Sequence, residues 1–344
     1  MIPPPGPFVK RKDALFFRFG KKAAPAGRKI APVLRIQWKN AHFCVIIAIL
    51  IILYMSSQGR AGRQGLCAAK EYRTMDNRPI GVFDSGLGGL TGVKQLRKLL
   101  PGEDIVYFGD TGRVPYGSRS PETIVQYARQ DIAFLLSKDV KYIMAACGTV
   151  SSTFPAAEAA GLPVPFLGVV GAAARAAAVA TRNRKVGVIG TTATIRSGSY
   201  ETLLRRLVPG VEVTKRACPM FVPLVENGYV NDGNPVTRLI IEEYLTEVRD
   251  AGVDTLILGC THYPLLKKMI GDFMGPQVTL IDPGKVAAGA LKDALSAKGL
   301  LARREQGTAR YYVSDVPDGF SGMADLFLGP YSGGPVEQIF IDRY

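Results

Sequence analysis

Two cysteines are the residues best suited to catalytic chemistry, and each directly follows a short apolar run. Cys147 lies in AACGTVSS and Cys260 in LGCTHYP, and a threonine follows each within two residues. Backbone N–H groups at the start of a helix stabilise negative charge, lower the pKa of a thiol and bind carboxylates. Because an unperturbed thiol has a pKa of about 8.5, modest help permits acid or base chemistry near neutral pH. A lone cysteine after a buried strand is usually a core residue, but two in matching settings indicate a function.

Other uses of these cysteines have less support in the sequence. A zinc site needs about four ligands. Cys147, Cys218, Cys260 and His262 could be proposed, but no CxxC pair supports them, so we predict no metal. A structural disulfide is disfavoured in a cytosolic protein. His262 is the only histidine after residue 74, and it lies two residues beyond Cys260, where it could assist that thiol.

Two loops bring further polar residues to the ends of predicted strands. FDSGLGGLT places Asp84 and Ser85 beside glycines that permit a close backbone approach. This loop lacks the glycine-rich phosphate-binding patterns, and its acidic residue suits an ammonium group or a catalytic relay. GDTGRVPYG places Asp110, Tyr116 and Gly117 at the same predicted edge. Each loop alone is typical of a turn, but their convergence beside the first cysteine predicts a site.

Strands and helices alternate from residue 80 onward. The predicted strands are Ile80–Phe83, Asp104–Phe108, Lys141–Ala146, Val164–Val169, Lys185–Ile189, Val211–Ala217, Asp254–Leu258 and Gln277–Ile281. The predicted helices are Thr91–Leu100, Ser120–Lys138, Ala172–Thr181, Ser199–Leu207, Pro235–Asp250 and Pro264–Asp272. Such alternation is typical of α/β proteins with parallel sheets, whose ligands bind beyond the carboxyl ends of the strands.

A weak internal repeat extends this prediction. IGVFDSG at Ile80 matches VGVIGTT at Val186, and VKYIMAACGT at Val140 matches VDTLILGCTH at Val253, at offsets of 106 and 113 residues. Because buried parallel strands also resemble one another by chance, that explanation stays open. Duplication predicts two similar α/β domains in a pseudo-symmetric arrangement, with both cysteines in the cleft between them.

Length and charge limit the classes of function. The chain has 344 residues, enough for two domains, and its 47% apolar and 21% charged residues exclude a mainly disordered, collagen-like or coiled-coil chain. Residues 1–74 carry 14 Lys/Arg and 2 Asp/Glu, which accounts for +12 of the net charge of +14. Since the remainder is nearly neutral, we expect no nucleic-acid partner.

The first 74 residues differ from the rest in composition. A basic stretch precedes a 13-residue apolar run, Phe43–Met55, which is short for a membrane-spanning helix. Three interpretations compete: a short membrane anchor, a cleaved export signal, or a mis-assigned start upstream of a native start at Met75. We favour the third, because the α/β pattern begins five residues after Met75. If residues 1–74 do belong to the protein, we expect them to be disordered or to form a short membrane segment at residues 43–55. Membrane contact is expected only in that case.

The motifs FDSGLGGLT, GDTGRVPYG, ACGTVSS, FVPLVENG and LGCTHYP together resemble those of glutamate racemases, in the aspartate/glutamate racemase family. The resemblance covers residues 75 to about 298. It implies a cytoplasmic isomerase that needs no cofactor, interconverts L- and D-glutamate for peptidoglycan synthesis, and forms a homodimer. Family and repeat together predict one domain from 75–171 plus 281–344, and a second from 172–280.

The resemblance also implies roles for individual residues. Cys147 and Cys260 are the implied acid/base pair, with Asp84 assisting the first and His262 and Glu226 near the second. The implied substrate contacts are Asp84, Ser85, Tyr116, Gly117, Gly148, Thr149, Thr261 and His262. Many family members have Asn directly after the first cysteine, where this chain has Gly148. An amide contact is therefore missing, and replacing Gly148 with Asn is expected to tighten substrate binding.

Two alternatives stay open beside glutamate racemisation. One is an aspartate or broad-specificity amino-acid racemase, since those enzymes share the paired cysteines. The other is a non-catalytic binding protein on the same fold. The presence of both cysteines, Asp84 and His262 argues against loss of catalysis.

Overall fold

The structure is a computed structural model, and it describes residues 76–318, 320–329 and 334–344. The N-terminal extension, including the apolar run 43–55, lies outside these residues, so its three interpretations are untested. Within the described ranges, no helix has both the length and the apolar character that crossing a membrane requires.

Strands and helices alternate along the described chain. The strands are β1 (Ile80–Asp84), β2 (Ile105–Gly109), β3 (Tyr142–Ala145), β4 (Phe166–Gly168), β5 (Lys185–Gly190), β6 (Glu212–Ala217), β7 (Thr255–Gly259), β8 (Thr279–Ile281), β9 (Ala309–Val313) and β10 (Val336–Gln338). The helices are α1 (Leu90–Leu99), α2 (Pro121–Ser137), α3 (Gly148–Thr153), α4 (Ala156–Ala160), α5 (Val169–Ala180), α6 (Thr192–Ser197), α7 (Ser199–Leu207), α8 (Phe221–Glu226), α9 (Pro235–Asp250), α10 (Lys267–Met274), α11 (Pro283–Ala297) and α12 (Phe320–Leu328). Short 3₁₀ turns occupy Thr111–Arg113, Tyr116–Ser118, Tyr263–Leu266 and Ile341–Arg343.

The strands form two sheets in which every pair is parallel. The first sheet has the order β10-β9-β2-β1-β3-β4, and the second has the order β6-β5-β7-β8. The segment β2-β1-β3-β4 and the second sheet therefore have the same strand order, with β1 equivalent to β5 and β3 to β7. The shared strand order adds to the sequence matches at β1/β5 and β3/β7 and favours duplication over chance similarity of buried strands. The predicted fold class is confirmed, and the repeat in the sequence corresponds to a repeat in the topology.

Helix starts are encoded locally. The side chains of Ser120, Asn234 and Asp282 accept hydrogen bonds from the backbone N–H three residues later, at 3.3, 3.0 and 3.1 Å. Proline follows each of them at the first helical position. A backbone N–H at this position has no partner within the helix, so proline, which lacks that N–H, is tolerated there. The observed start of α2 after Ser120 agrees with the predicted helix Ser120–Lys138.

Both faces of the first sheet are buried at its strands β1, β2 and β3. On β1, Val82 packs on one side with Leu96 of α1, and Phe83 packs on the other side with Phe134 of α2. Burial on both faces explains why β1, β2 and β3 are almost entirely apolar. The carboxyl ends of these strands are the part of the sheet left open to a ligand.

Some elements differ from prediction. The predicted helix Pro264–Asp272 is a 3₁₀ turn followed by α10. The strands β9 and β10, which extend the first sheet beyond β2, are not among the predicted strands. β10 has only three residues, too few for a reliable alternation pattern. β5 to β8 form the second sheet, but the domain boundaries at residues 171 and 281 stay a prediction.

Candidate active site

A cavity of about 380 Å³ lies at the carboxyl ends of both sheets. The residues that follow the central strands β1, β3, β5 and β7 all line it: Ser85, Cys147, Thr191 and Cys260. The pseudo-symmetric topology therefore brings both cysteines to one space. The other predicted site residues that line the cavity are Tyr116, Gly117, Gly148, Thr149, Glu226, Thr261 and His262.

Cys147 is the residue that precedes α3, and its side chain is buried, with 4% of its surface exposed. Its thiol donates a hydrogen bond to Ser85 Oγ at 3.5 Å. Burial, and then the nearby Asp84 carboxylate, raise the pKa of Cys147 to about 12, although hydrogen bonds from the start of α3 and from Ser85 act in the opposite direction. The helix start thus acts as the sequence predicted, but burial outweighs it. Cys147 is a protonated thiol near neutral pH.

Cys260 directly follows β7 and has a different neighbour. Its Sγ lies 3.8 Å from Nδ1 of His262, and the Nε2 of His262 lies 3.0 Å from Oε1 of Glu226. Burial alone would lower the pKa of His262, but the contacts with Cys260 and Glu226 outweigh it and raise that pKa to about 10. The imidazolium form is therefore favoured near neutral pH, with one ring N–H directed to the sulfur and the other to the carboxylate.

Asp84 ends β1 and lies behind the cavity wall, since it is not among the described residues that line the cavity. Its Oδ2 accepts hydrogen bonds from the Gly89 N–H at 2.7 Å and from Thr261 Oγ1 at 3.5 Å, whereas its Oδ1 has no hydrogen-bond partner within the described ranges. Burial raises the pKa of Asp84, and the positive charge on His262 counteracts this. Asp84 therefore acts electrostatically on both cysteine loops, while its predicted contact with substrate stays a prediction.

Tyr116 lines the cavity, but its hydroxyl group points into the protein. The hydroxyl donates a short hydrogen bond to Asp110 and lies 3.2 Å from Oδ2 of Asp131. Contact with a ligand would involve the tyrosine ring or backbone. The next residue, Gly117, packs on the opposite wall, because a Cβ atom there would lie 2.8 Å from Cβ of Thr191.

Gly148 occupies a position with no room for a side chain. A Cβ atom at this residue would lie 2.3 Å from the carbonyl oxygen of Gly259. Real Cβ atoms do not approach other atoms so closely, so an asparagine in place of Gly148 must displace one of the two cysteine loops. The geometry reverses the expectation that the Gly148→Asn substitution would tighten binding.

Sequence reasoning missed Thr191 and Thr192. Thr191 Oγ1 lies 2.9 Å from Thr149 Oγ1, and this contact joins the two walls of the cavity. The signal was present in the repeat, because the match of IGVFDSG to VGVIGTT aligns Thr191 with Ser85. An equivalent of Ser85 in the second half should itself have been predicted to line the site.

The cavity has a polar side and an apolar side. Hydroxyl groups come from Ser85, Ser118, Thr149, Thr191, Thr192 and Thr261, and apolar surface comes from Val114, Pro219, Val222 and Pro223. No lysine or arginine is among the described residues that line it. In the part of the chain that the structure describes, no group of three or more His, Cys, Asp or Glu could hold a metal ion.

Similarity to known proteins is extensive. The family model "Asp/Glu/Hydantoin racemase" matches residues 92–291. A glutamate racemase of Geobacter metallireducens is 48% identical over 253 residues, which cover 73% of this chain and 93% of that protein. The crystal structure of glutamate racemase from Francisella tularensis in complex with D-glutamate has a TM-score of 0.72 and 38% identity, and covers 78% of this chain and 100% of that one. The crystal structure of glutamate racemase from Thermus thermophilus in complex with β-chloro-D-alanine has a TM-score of 0.70 and 41% identity, and covers 78% of this chain and 99% of that one. By sequence and by fold, this chain belongs to the Asp/Glu/hydantoin racemase family.

Proposed function

We propose that this chain interconverts L- and D-glutamate, with Cys147 and Cys260 as its two acid/base residues. The observation that carries the proposal is that both thiols come from equivalent strand ends and line one cavity. Racemisation removes the Cα proton from one face and returns a proton to the other, so it needs one group on each face. The names of the relatives and the D-glutamate in the Francisella structure favour glutamate over aspartate.

In one direction of the reaction, the Cys260 thiolate takes the Cα proton while the Cys147 thiol donates its proton to the opposite face. His262 supports the first step, because its Nδ1–H can donate to the sulfur while Glu226 accepts from Nε2. In the reverse direction the two cysteines exchange roles. Each turnover leaves Cys260 as the thiol and Cys147 as the thiolate. Before the same enantiomer can react again, Cys260 must lose its proton to solvent and Cys147 must take one up, which restores the starting pair.

Apart from the His262 imidazolium, whose two ring N–H groups face Cys260 and Glu226, the donors available to the substrate in this proposal are neutral. Two carboxylates must be held without lysine or arginine among the described lining residues, so the hydroxyl groups and the backbone N–H groups at the starts of α3 and α6 are the available donors. Hydrogen bonds to the α-carboxylate also stabilise the negative charge that develops when Cα loses its proton. The apolar wall limits access of water to that charge.

The wider proposal places the protein in the cytoplasm, where D-glutamate would be supplied for peptidoglycan precursors. In this proposal the protein uses glutamate as its small-molecule substrate, requires no cofactor, and acts as a homodimer. The similarity to glutamate racemases supports the substrate. The dimer and the location rest on the resemblance alone.

Circular dichroism of L-glutamate, L-aspartate and L-alanine, incubated with the protein and no added cofactor, tests this function. We expect the signal of glutamate to decay to zero, with incorporation of deuterium at Cα when the reaction is run in D₂O. Faster decay with aspartate would support the alternative racemase. Binding of glutamate without decay or deuterium incorporation would support a non-catalytic protein. The Cys147→Ser/Cys260→Ser double variant is the control for contaminating activity.

A further inference from the structure

A buried charge cluster lies directly behind the cavity wall formed by Tyr116–Ser118. Asp110 follows β2 and Asp131 lies in the middle of α2, and both are completely buried. Arg113 pairs with Asp110 at 2.6 Å and with Asp131 at 3.2 Å. Among the described residues, Arg113 is the only cation in an ion pair with either carboxylate. Two ionised carboxylates here would leave an uncompensated buried negative charge, which is costly.

The hydrogen bonds identify which carboxylate holds a proton. The Tyr116 hydroxyl lies between Asp110 Oδ2 and Asp131 Oδ2, and it has one proton to give. Asp110 already accepts from Arg113 Nε at 2.6 Å and from Ser314 Oγ at 2.7 Å, as an ionised carboxylate would. The Tyr116 proton goes to Asp110, which leaves an oxygen–oxygen contact of 3.2 Å between Tyr116 and Asp131. That contact is favourable only if Asp131 supplies a proton.

We propose that Asp131 is a positioning residue held as an uncharged carboxylic acid, which donates a hydrogen bond to the Tyr116 hydroxyl and so fixes the turn Tyr116–Ser118 against the cavity. The chain of donors then runs from Asp131 to Tyr116 to Asp110, and every buried oxygen in it has a partner. Arg113 donates to Oδ1 of Asp131, the oxygen that Tyr116 does not contact, and to Oδ2 of Asp110, the oxygen that also accepts from Tyr116. Its guanidinium lies over the ring of Tyr127 at 4.1 Å.

The electrostatic surroundings agree with this assignment. Burial, followed by the charge of Asp110, raises the pKa of Asp131 well above its usual range. The other groups that act on Asp131 are Arg113 and Tyr116, which lower its pKa, and Asp84 on β1, which raises it. Because Gly117 packs against Thr191 on the far wall, a displaced Tyr116 would change the width of the cavity.

The protonation state is tested without turnover. An infrared difference spectrum of the wild-type protein minus Asp131→Asn, at pH 7 in D₂O, should contain the carbonyl-stretch band of a protonated carboxylic acid. Carboxylate bands in its place would overturn the proposal. This measurement does not depend on the proposed function, so it separates a failure of this inference from a failure of the racemase assignment.

The positioning role rests on the proposed function and is tested by kinetics with glutamate. Asp131→Asn keeps a donor for Tyr116 and an acceptor for Arg113, so kcat/KM should stay within about threefold of wild type, whereas Asp131→Leu should raise KM by about tenfold or more with a smaller change in kcat. Asp293→Asn and Asp293→Leu, on the exposed face of α11, are the matched controls. Equal damage from Asn and Leu at residue 131 would show that the negative charge is required, and would overturn the proposal. If Asp131→Leu does not fold, the infrared spectrum and the Asn variant still decide.

Discussion

The carbonyl oxygen of Gly259 lies where a side chain at Gly148 would begin, 2.3 Å from an ideal Cβ position. Gly148 directly follows Cys147, and Gly259 directly precedes Cys260. The two cysteine loops therefore pack backbone against backbone. This contact restricts how far the loops, and with them the two thiols, can move relative to one another.

The first prediction concerns Gly148→Asn. Overpacking of this kind typically costs about 1–3 kcal/mol of stability. Displacement of a cysteine loop by about 1 Å can also reduce turnover about a hundredfold. We therefore expect a lower urea midpoint and a kcat/KM lower by at least about tenfold.

Gly289→Ala is the matched control, because a Cβ at that position in α11 has no described neighbour within 4 Å. It should be neutral or stabilising by up to about 1 kcal/mol, since alanine favours the helix. A lower KM for Gly148→Asn would instead show that the loops separate easily and that the sequence-based expectation holds.

The second prediction concerns the thiols. Cys147→Ser and Cys260→Ser should each reduce racemisation on the order of a thousandfold, because a serine hydroxyl is a far weaker acid than a thiol. Each single variant should still exchange the α-proton of one enantiomer in D₂O, and the two variants should differ in which one. Proton NMR of L- and D-glutamate measures this exchange.

Cys218→Ser is the control, since Cys218 is equally buried and is not among the described residues that line the cavity. It should keep its turnover if it remains folded. Substantial racemisation by Cys260→Ser would contradict the two-base assignment.

The third prediction concerns pH. Glu226→Gln removes the negative charge beside Nε2 of His262, so the pKa of His262 should fall from about 10. The rate with the enantiomer that Cys260 deprotonates should then decline at lower pH than in wild type, because His262 loses its proton earlier. In a chain that begins at Met75, His262 is the only histidine, so NMR titration of its ring proton measures the shift directly.

Glu242→Gln, on the exposed side of α9, should leave both the titration and the rate profile unchanged. If the titration of His262 is the same in Glu226→Gln as in wild type, Glu226 does not stabilise the imidazolium.

The fourth prediction concerns the N-terminal boundary. Lys141 is buried, and its Nζ donates to the carbonyl oxygens of Asp76 at 2.7 Å and Leu300 at 2.8 Å and pairs with Glu103 at 2.5 Å. A chain that begins at Met75 keeps these contacts and should be folded and active. A chain that begins at Ile80 loses one acceptor of a buried ammonium group, which should cost about 1–3 kcal/mol in urea unfolding.

The full-length chain is the reference for both truncations. Inactivity of the Met75 chain beside an active full-length chain would show that residues upstream of Met75 contribute to the enzyme.

The fold class and the placement of both cysteines at strand ends follow from local patterns in the sequence. Apolar runs and helix starts such as Ser120 are local patterns, and the end of a parallel strand is a position that those patterns define. The repeat added the correspondence of Cys147 with Cys260, and the topology confirmed it. Applied more strictly, the same repeat would have yielded Thr191 as the partner of Ser85.

Contacts between residues that are distant in the chain are visible only in the three-dimensional structure. Gly148 contacts Gly259, although 111 positions separate them in the chain. Asp131 contacts Tyr116 from the middle of a helix, and in the sequence a lone acidic residue at such a position is indistinguishable from an exposed one. The periodicity of apolar residues within one helix or strand does not indicate which distant residue it will contact. Burial likewise decided the protonation of Cys147, because the helix start that lowers its pKa is visible in sequence, whereas the desolvation that outweighs it depends on everything packed around the sulfur.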